Sequence, residues 1–122
     1  MTDTAGEIEA IVQGQLEAFN AQDVERFLAY FADDFVAFEF PNTVRLEGKS
    51  AARDAYRTLF SENPDLRAHV STRIVRPPCV IDHEHVIGHR RRPDGTNGFV
   101  VYEVRNGLIQ RFWSGAWSDR QD

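Results

Sequence analysis

The chain has 122 residues, of which 42% are hydrophobic and 27% are charged, so one domain over residues 1–122 with a sizeable core is expected, and two domains are not. This composition excludes disordered, collagen-like and low-complexity classes. The formal net charge of −5 disfavours nucleic acid as a partner, because that binding depends on neutralised phosphates.

Targeting signals are absent from the sequence pattern. The first ten residues lack the basic and apolar regions of a signal peptide. No stretch approaches the apolar length that spans a bilayer. Cys79 is the single cysteine and forms no internal disulfide. We therefore expect a cytoplasmic protein with no membrane partner.

The first predicted element is an amphipathic helix. Thr4 and Glu7 form a capping box at its start. Apolar residues follow at spacings of three and four, namely Ile8, Ile11, Val12, Leu16 and Phe19. Gln15 lies on the same stripe, so a polar side chain is expected to point into the core.

A second short helix is predicted after Asp23, which can cap it. A strand is then predicted over residues 35–40, ended by Pro41, and residues 41–48 are expected to form a loop. The third helix is expected from about residue 50 to residue 60, before Asn63-Pro64.

The second half of the chain alternates like antiparallel strands. Strands are predicted over residues 66–75, 79–91, 99–105 and 108–117. Asp94-Gly95 and Asn106-Gly107 are dipeptides that two-residue hairpin turns prefer. The element order predicts an α+β fold in which the helices cover one face of a strongly bent sheet that encloses a space.

A two-residue turn at Asn106-Gly107 sets the register of the last two strands. It places Tyr102 opposite Arg111 and Val100 opposite Trp113. Directly opposed residues share one side of a sheet, and this side is the more apolar, so all four are expected to face the helices. A hydroxyl and a guanidinium in that interior would need partners.

The same argument at Asp94-Gly95 directs His83 and His85 inward. A slip of one residue would direct Asp82 and Glu84 inward instead. Ionisable groups enter the interior from this strand in either register. The His-x-His spacing also suits a metal with Glu39 as a third ligand, but no other residues show ligand spacing, so no metal is expected.

Glu39 has two interpretations. The alternation of the first strand favours Val36, Phe38 and Phe40 in the core, with Glu39 in water. The alternative places Glu39 among aromatic side chains at the cavity mouth, where desolvation would raise its pKa and suit it to abstract a proton.

The sequence resembles the nuclear transport factor 2-like superfamily, and most of all the SnoaL-like polyketide cyclases and ketosteroid isomerases. The resemblance covers FNAQDVERFLAYFADDFVAFE over residues 19–39, the helix over residues 50–60 and the closing VYEVRNGLIQRFW. It implies a cone-shaped, cystatin-like α+β barrel with a curved antiparallel or mixed sheet wrapped around three N-terminal helices. It also implies an apolar pocket and a homodimer that packs through the outer sheet face.

The resemblance also implies roles for particular residues. The isomerase's general base falls on Glu39. Its oxyanion tyrosine falls on Gln15, and its protonated aspartate falls on or near Val100. Because both acidic donors are missing, the more varied polar set of SnoaL-like cyclases is the better match.

We therefore expect an enzyme for cofactor-independent acid–base chemistry, namely isomerisation, cyclisation or dehydration of a small hydrophobic carbonyl compound. The predicted catalytic residues are Glu39, Tyr102, Arg111 and His83. The predicted substrate-binding residues are Gln15, Phe19, Tyr56, Phe60, His85, Val100 and Trp113. The alternatives are a non-catalytic ligand-binding or dimerisation module, and a steroid Δ5-isomerase with a substituted oxyanion hole.

Overall fold

The residues that the structure describes form three helices and six strands. All three helices and five of the strands follow one another in the predicted order, and one strand was not predicted. The computed structural model describes residues 3–117. The helices are α1 (Ala5–Asn20), α2 (Val24–Leu28) and α3 (Gly48–Glu62); the strands are β1 (Phe31–Glu39), β2 (Thr43–Glu47), β3 (Arg67–Arg76), β4 (Cys79–Ile87), β5 (Thr96–Arg105) and β6 (Leu108–Trp117). The predicted α+β class is confirmed.

The capping residues start both N-terminal helices as predicted. Thr4 Oγ1 accepts a hydrogen bond from the Glu7 backbone N–H at 3.2 Å, and Glu7 Oε1 accepts one from the Thr4 N–H at 2.8 Å. Asp23 Oδ1 accepts from the Arg26 N–H at 3.1 Å and starts α2. The apolar stripe of α1 faces the core as predicted, and Ile8, Val12, Gln15 and Leu16 are buried.

The strands form one curved sheet in the order β2-β1-β6-β5-β4-β3. The β1–β6 pair is parallel and the other pairs are antiparallel, so the sheet is mixed. Register irregularities interrupt four of the five pairings and bend the strands. The helices cover the inner side, which carries Tyr102 and Phe112; the outer side carries Val101 and Trp113.

Strand β2 lies where a loop was predicted. It pairs with β1 and forms an edge of the sheet. Four of its five residues are exposed, so the strand has no buried alternation. The prediction of a loop was wrong because an edge strand takes part in the sheet through backbone hydrogen bonds, which the hydrophobic pattern does not reveal.

The Asn106-Gly107 turn is confirmed, but the predicted register fails beyond it. Both residues have positive φ, 56° and 75°, as the favoured hairpin turn requires. Val104 pairs with Ile109 as predicted, but a bulge then pairs Glu103 with Arg111. The bulge adds one residue to β6, so every later β6 side chain changes face.

The connection between β4 and β5 is a loop over residues 88–95 and not a two-residue turn. Gly88 has a φ of 86° and ends β4 early. As a result Asp82 pairs with Val100 and Glu84 with Gly98. This register is not a slip of one residue, but it has the orientation that such a slip would give: Asp82 and Glu84 take the inner side.

None of the helices within residues 3–117 combines the length and apolarity that a membrane span requires.

Candidate active site

A cavity of about 210 Å³ lies between the helices and the inner side of the sheet. We call it the inner chamber. Its lining is mostly aromatic and aliphatic, and five of its side chains carry a polar group. The lining residues are Gln15, Leu16, Phe19, Phe27, Phe31, Tyr56, Leu59, Ala68, Glu84, Val100, Tyr102, Phe112 and Ser114. An apolar hollow with a few polar groups is typical of a small-molecule site.

A second cavity of about 300 Å³ adjoins the first, and we call it the outer chamber. The two chambers share Glu84, Val100 and Ser114. The outer chamber is more polar because charged and ring-nitrogen groups line it, namely Glu39, Arg45, His89 and Arg92. A ligand can therefore extend from the inner chamber past Glu84 into the outer one.

Glu84 contributes a carboxyl group to the lining of the inner chamber. It is half-buried, and its side chain makes no hydrogen bond or ion pair with any residue of the described range 3–117. Burial raises its pKa from 4.5 to about 7; the charge of Asp82 adds to this rise and Arg73 partly opposes it. A carboxyl group with such a pKa exchanges protons readily near neutral pH.

Asp82 lies on the same side of β4 as Glu84, but both of its carboxylate oxygens accept hydrogen bonds from Arg73. Arg73 Nε and Nη2 donate to its two carboxylate oxygens at 2.8 and 3.0 Å, and Arg73 Nη1 donates to Gln13 Oε1 at 2.9 Å. The side chains of Asp82 and Arg73 are 1% and 13% exposed. Hydrogen bonding to Asp82 raises the pKa of Arg73, so the guanidinium stays charged.

Tyr102 presents its hydroxyl to the inner chamber. Gln15 Nε2 donates to Val12 O and to Tyr102 Oη, both at 3.0 Å. The carbonyl of Val12 can only accept, which fixes the orientation of the Gln15 amide. Because Tyr102 Oη accepts from Gln15, its own O–H remains free to donate. Burial holds the pKa of Tyr102 well above its ordinary 10.0, so this donor stays protonated.

Tyr56 of α3 contributes a second hydroxyl to the lining. Its ring packs against Phe27, with ring centroids 4.7 Å apart. Its hydroxyl makes no hydrogen bond within the described part of the chain, and burial raises its pKa. The lining of the chamber thus includes two neutral hydroxyl groups and one titrating carboxyl group.

The structure places five of the residues that the sequence assigned to the site in the inner-chamber lining: Gln15, Phe19, Tyr56, Val100 and Tyr102. Phe60 is buried behind them, with its ring centroid 5.2 Å from that of Phe19. It supports the wall without lining it.

Glu39 lies outside the inner chamber. Its side chain is 57% exposed and its Oε2 is 3.5 Å from Arg45 Nη1. It lines the outer chamber, so the residue is at the mouth and in water. The expectation that Val36, Phe38 and Phe40 lie in the core was wrong, because the core side of β1 carries Phe35 and Ala37, and Phe40 is 56% exposed.

The predicted inward orientation of Arg111 and Trp113 is wrong. The bulge in β6 directs both to the outer side of the sheet. Arg111 donates to the two carboxylate oxygens of Glu103 at 2.7 and 3.1 Å. Trp113 stacks on Phe38, with centroids 5.4 Å apart. The inner positions of this strand belong to Phe112 and Ser114.

The predicted inward orientation of His83 and His85 is also wrong. They alternate with Asp82 and Glu84 and therefore lie on the outer side. His85 Nδ1 is 2.9 Å from Asn97 Oδ1. Within residues 3–117, no three His, Cys, Asp or Glu side chains come together as a metal site would require.

Glu84 is the residue that the sequence reasoning underrated, since it was named only as the alternative to the histidines. A signal was present in Gly88, whose flexibility suits the end of a strand. Ending β4 at Gly88 removes the two-residue turn on which the inward histidines depended. Ser114 and Phe112 were missed because nothing in the alternation marks the bulge.

Comparison with known proteins agrees with this architecture. Residues 12–112 match the family of the SnoaL-like domain. The chain belongs to the SnoaL-like domain family. No protein with a curated description matches it.

Solved structures share the fold of this SnoaL-like protein at low identity. A proposed ketosteroid isomerase from Kribbella flavida DSM 17836 is 21% identical, with a TM-score of 0.82 over 100% of this chain and 85% of the other. An uncharacterised cystatin-fold protein from Novosphingobium aromaticivorans is 23% identical, with a TM-score of 0.80 over 88% and 96%. A proposed polyketide cyclase from Sinorhizobium meliloti is 17% identical, with a TM-score of 0.76 over 91% and 98%.

Proposed function

We propose that this SnoaL-like protein is an enzyme that moves a proton beside the carbonyl group of a small hydrophobic compound, without a cofactor. The observation that carries the proposal is the carboxyl group of Glu84, which has no partner among residues 3–117, in an aromatic cavity that also holds two hydroxyl donors. This proposal transfers the role of general base from Glu39 to Glu84.

The reaction needs a base and a donor on one substrate. The ionised Glu84 carboxylate takes a proton from the carbon next to the carbonyl, so a C–H bond breaks and an O–H bond forms on Glu84. The electron pair moves to the carbonyl oxygen and gives an enolate. Tyr102 donates a hydrogen bond to that oxygen, with Tyr56 as the second donor.

The fate of the enolate decides the product. Return of the proton from Glu84 to the γ-carbon of the resulting dienolate isomerises a β,γ-unsaturated substrate to its conjugated form. Attack of the enolate carbon on a second carbonyl of the same molecule closes a ring. The fold relatives from Kribbella and Sinorhizobium, described as a proposed isomerase and a proposed cyclase, support this class of reaction. The exposure of Glu39 favours the broad class over a steroid Δ5-isomerase.

Proton abstraction can be tested without the natural substrate. 2-Tetralone is a flat aromatic ketone whose acidic C–H groups exchange with D₂O, which NMR follows directly. The wild-type protein should accelerate exchange over buffer, and Glu84→Gln should lower the accelerated rate at least 10²-fold, the usual contribution of a general base. Glu47→Gln, an exposed carboxyl at the start of α3, is the matched control and should exchange like wild type.

The possible results separate enzyme from binding protein. Equal exchange by wild type and Glu84→Gln would remove Glu84 as the base. Saturable shifts of inner-chamber resonances with no acceleration of exchange would favour a non-catalytic ligand-binding module. Circular dichroism of each variant establishes that a loss of exchange is not a loss of fold.

We also propose that the protein forms a homodimer through the outer side of the sheet. One apolar residue from each strand lies in register there: Ile74, Ile81, Val101, Trp113, Phe38 and Val44. Ile74 and Val44 are 55% and 48% exposed. An apolar row across all six strands is larger than the scattered exposed residues normal for a monomer, and a second copy can cover it.

A further inference from the structure

The outer chamber has a chemistry different from that of the inner chamber. Its rim gathers residues from β1, β2 and the loop of residues 88–95. Two of them are arginines, Arg45 and Arg92, and His89 lies beside them in the lining. These cationic and hydrogen-bonding groups gather in a chain whose formal net charge is −5.

Three consecutive arginines, Arg90, Arg91 and Arg92, lead to this rim, and their side chains have different surroundings. Arg90 Nη2 lies 3.7 Å from Glu62 Oε1 and ties the loop to α3. Arg91 lies outside the lining of either chamber. Arg92 lines the outer chamber, and its guanidinium makes no hydrogen bond or ion pair with residues 3–117.

Arg45 and Arg92 differ in whether a carboxylate of residues 3–117 pairs with them. Arg45 is offset by Glu39 at 3.5 Å. Glu84 faces the outer chamber from within, but its pKa of about 7 leaves it only partly ionised at neutral pH. Among residues 3–117, Arg92 is therefore a cation without an ion-pair partner at the rim of the outer chamber. Low-dielectric walls strengthen its attraction for an anion.

We infer that the outer chamber binds an anionic group of the substrate, a carboxylate or a phosphate ester, while the hydrophobic carbonyl part lies in the inner chamber beside Glu84. This inference rests on the proposed function and narrows its substrate class to amphipathic acids. The planar guanidinium of Arg92 matches the paired oxygens of such a group. The shared lining at Val100 and Ser114 gives the two parts of the substrate one continuous path.

Matched naphthyl probes test the inference. 2-Naphthylacetate and 2-naphthyl phosphate carry an anion, and 2-naphthylacetamide has nearly the shape of the acetate without the charge. Each is titrated by calorimetry and NMR into wild type, Arg92→Gln and Arg91→Gln at low ionic strength. The two variants change the net charge of the chain equally, so Arg91→Gln controls for long-range electrostatics.

Wild type should bind at least one of the anions about fivefold more tightly than the amide, the effect expected of a partly exposed charge-assisted hydrogen bond. Arg92→Gln should remove that preference and leave the affinity for the amide unchanged, and Arg91→Gln should retain it. Added salt should weaken it. The anion with the larger preference identifies the group as carboxylate or phosphate.

Two results would overturn the inference, and they differ in their consequence for the proposed function. Binding of all three probes with equal affinity, or a preference that survives in Arg92→Gln, would remove the anion subsite and leave the inner chamber as a ligand site. No binding of any naphthyl probe would reject the subsite together with the apolar pocket on which it depends. Failure of Glu84 as a base is measured separately by exchange of 2-tetralone.

Discussion

Glu84 and Asp82 point to the same side of β4, two residues apart, yet within residues 3–117 only Asp82 has an ion-pair partner. Arg73 holds Asp82 through two hydrogen bonds of 2.8 and 3.0 Å, and Glu84 faces the inner chamber unpaired within the described range 3–117. The fixed charge of Asp82 adds to the effect of burial and raises the pKa of Glu84. One strand thus supplies both a structural carboxylate and a titrating one.

The raised pKa of Glu84 predicts how stability depends on pH. The folded protein holds this proton more tightly than the unfolded chain does, so the stabilisation is full below pH 4.5 and is lost as the pH rises to about 7. Glu84→Gln lacks this dependence. Relative to that variant, wild type should lose on the order of 3 kcal/mol of unfolding free energy across this window.

Urea unfolding of both proteins at pH 4.5, 6 and 8 measures the difference. Glu47→Gln, which also removes one exposed carboxyl group, is the control for the loss of a charge. A constant difference between wild type and Glu84→Gln across the range would show that Glu84 titrates alike in the folded and unfolded protein.

Tyr102 is predicted to stabilise the enolate. Tyr102→Phe keeps the ring in the wall and removes the free O–H donor, so the exchange of 2-tetralone should slow by about 10²-fold. The affinity for 2-naphthylacetamide should change only a few-fold, because the aromatic contacts remain. NMR measures both quantities. A large loss of affinity with an unchanged exchange rate in the bound state would assign Tyr102 to binding alone.

Removing one member of the Arg73–Asp82 pair is predicted to lower the stability of the fold more than replacing both members. Arg73→Met leaves the buried Asp82 without its guanidinium partner. Asp82→Leu leaves Arg73 with Gln13 and, at 3.9 Å, Glu9, but without its buried counter-charge. Each should destabilise the fold by about 3–5 kcal/mol. The double variant should be more stable than either single variant, because no uncompensated charge remains. Urea unfolding of the four proteins completes the cycle; additive losses would contradict direct coupling.

The outer apolar row predicts a dimer that one charge can break. Ile81→Lys places an ammonium group in the middle of the row, and light scattering after size exclusion should report a monomer. Ile87→Lys lies on the same strand and the same side but outside the row, and should leave the mass of a dimer. A wild-type protein that elutes as a monomer at micromolar concentration would reject the homodimer.

The fold was predictable because several independent local signals agree. The capping box at Thr4 and Glu7, the stripe of α1 and the Asn106-Gly107 turn each depend on neighbouring residues, and each is confirmed. The class and the order of elements follow from them. Strand β2 was not predicted because an exposed edge strand has no alternation of buried and exposed residues.

The site was less predictable because it depends on register. In β4, acidic residues alternate with histidines, so the polar pattern fits either side of the sheet equally well. The length of the loop at residues 88–95 determines which residues of β4 face inward. In β6, a bulge determines the facing and moves Arg111 outward. Both are decided by tertiary pairing. Residues whose position depends on α1 and α3, such as Gln15 and Tyr56, were located correctly.

The pKa of Glu84 is the quantity on which the proposed chemistry depends most directly. Side-chain carboxyl ¹³C shifts, recorded from pH 3 to pH 9 and assigned by the signal missing in Glu84→Gln, give its value. The structure predicts a midpoint of about 7, and Asp82→Asn should move it downward because a like charge is removed. A midpoint at the ordinary value of 4.5 that does not respond to Asp82→Asn would contradict Glu84 as a base tuned by its cavity.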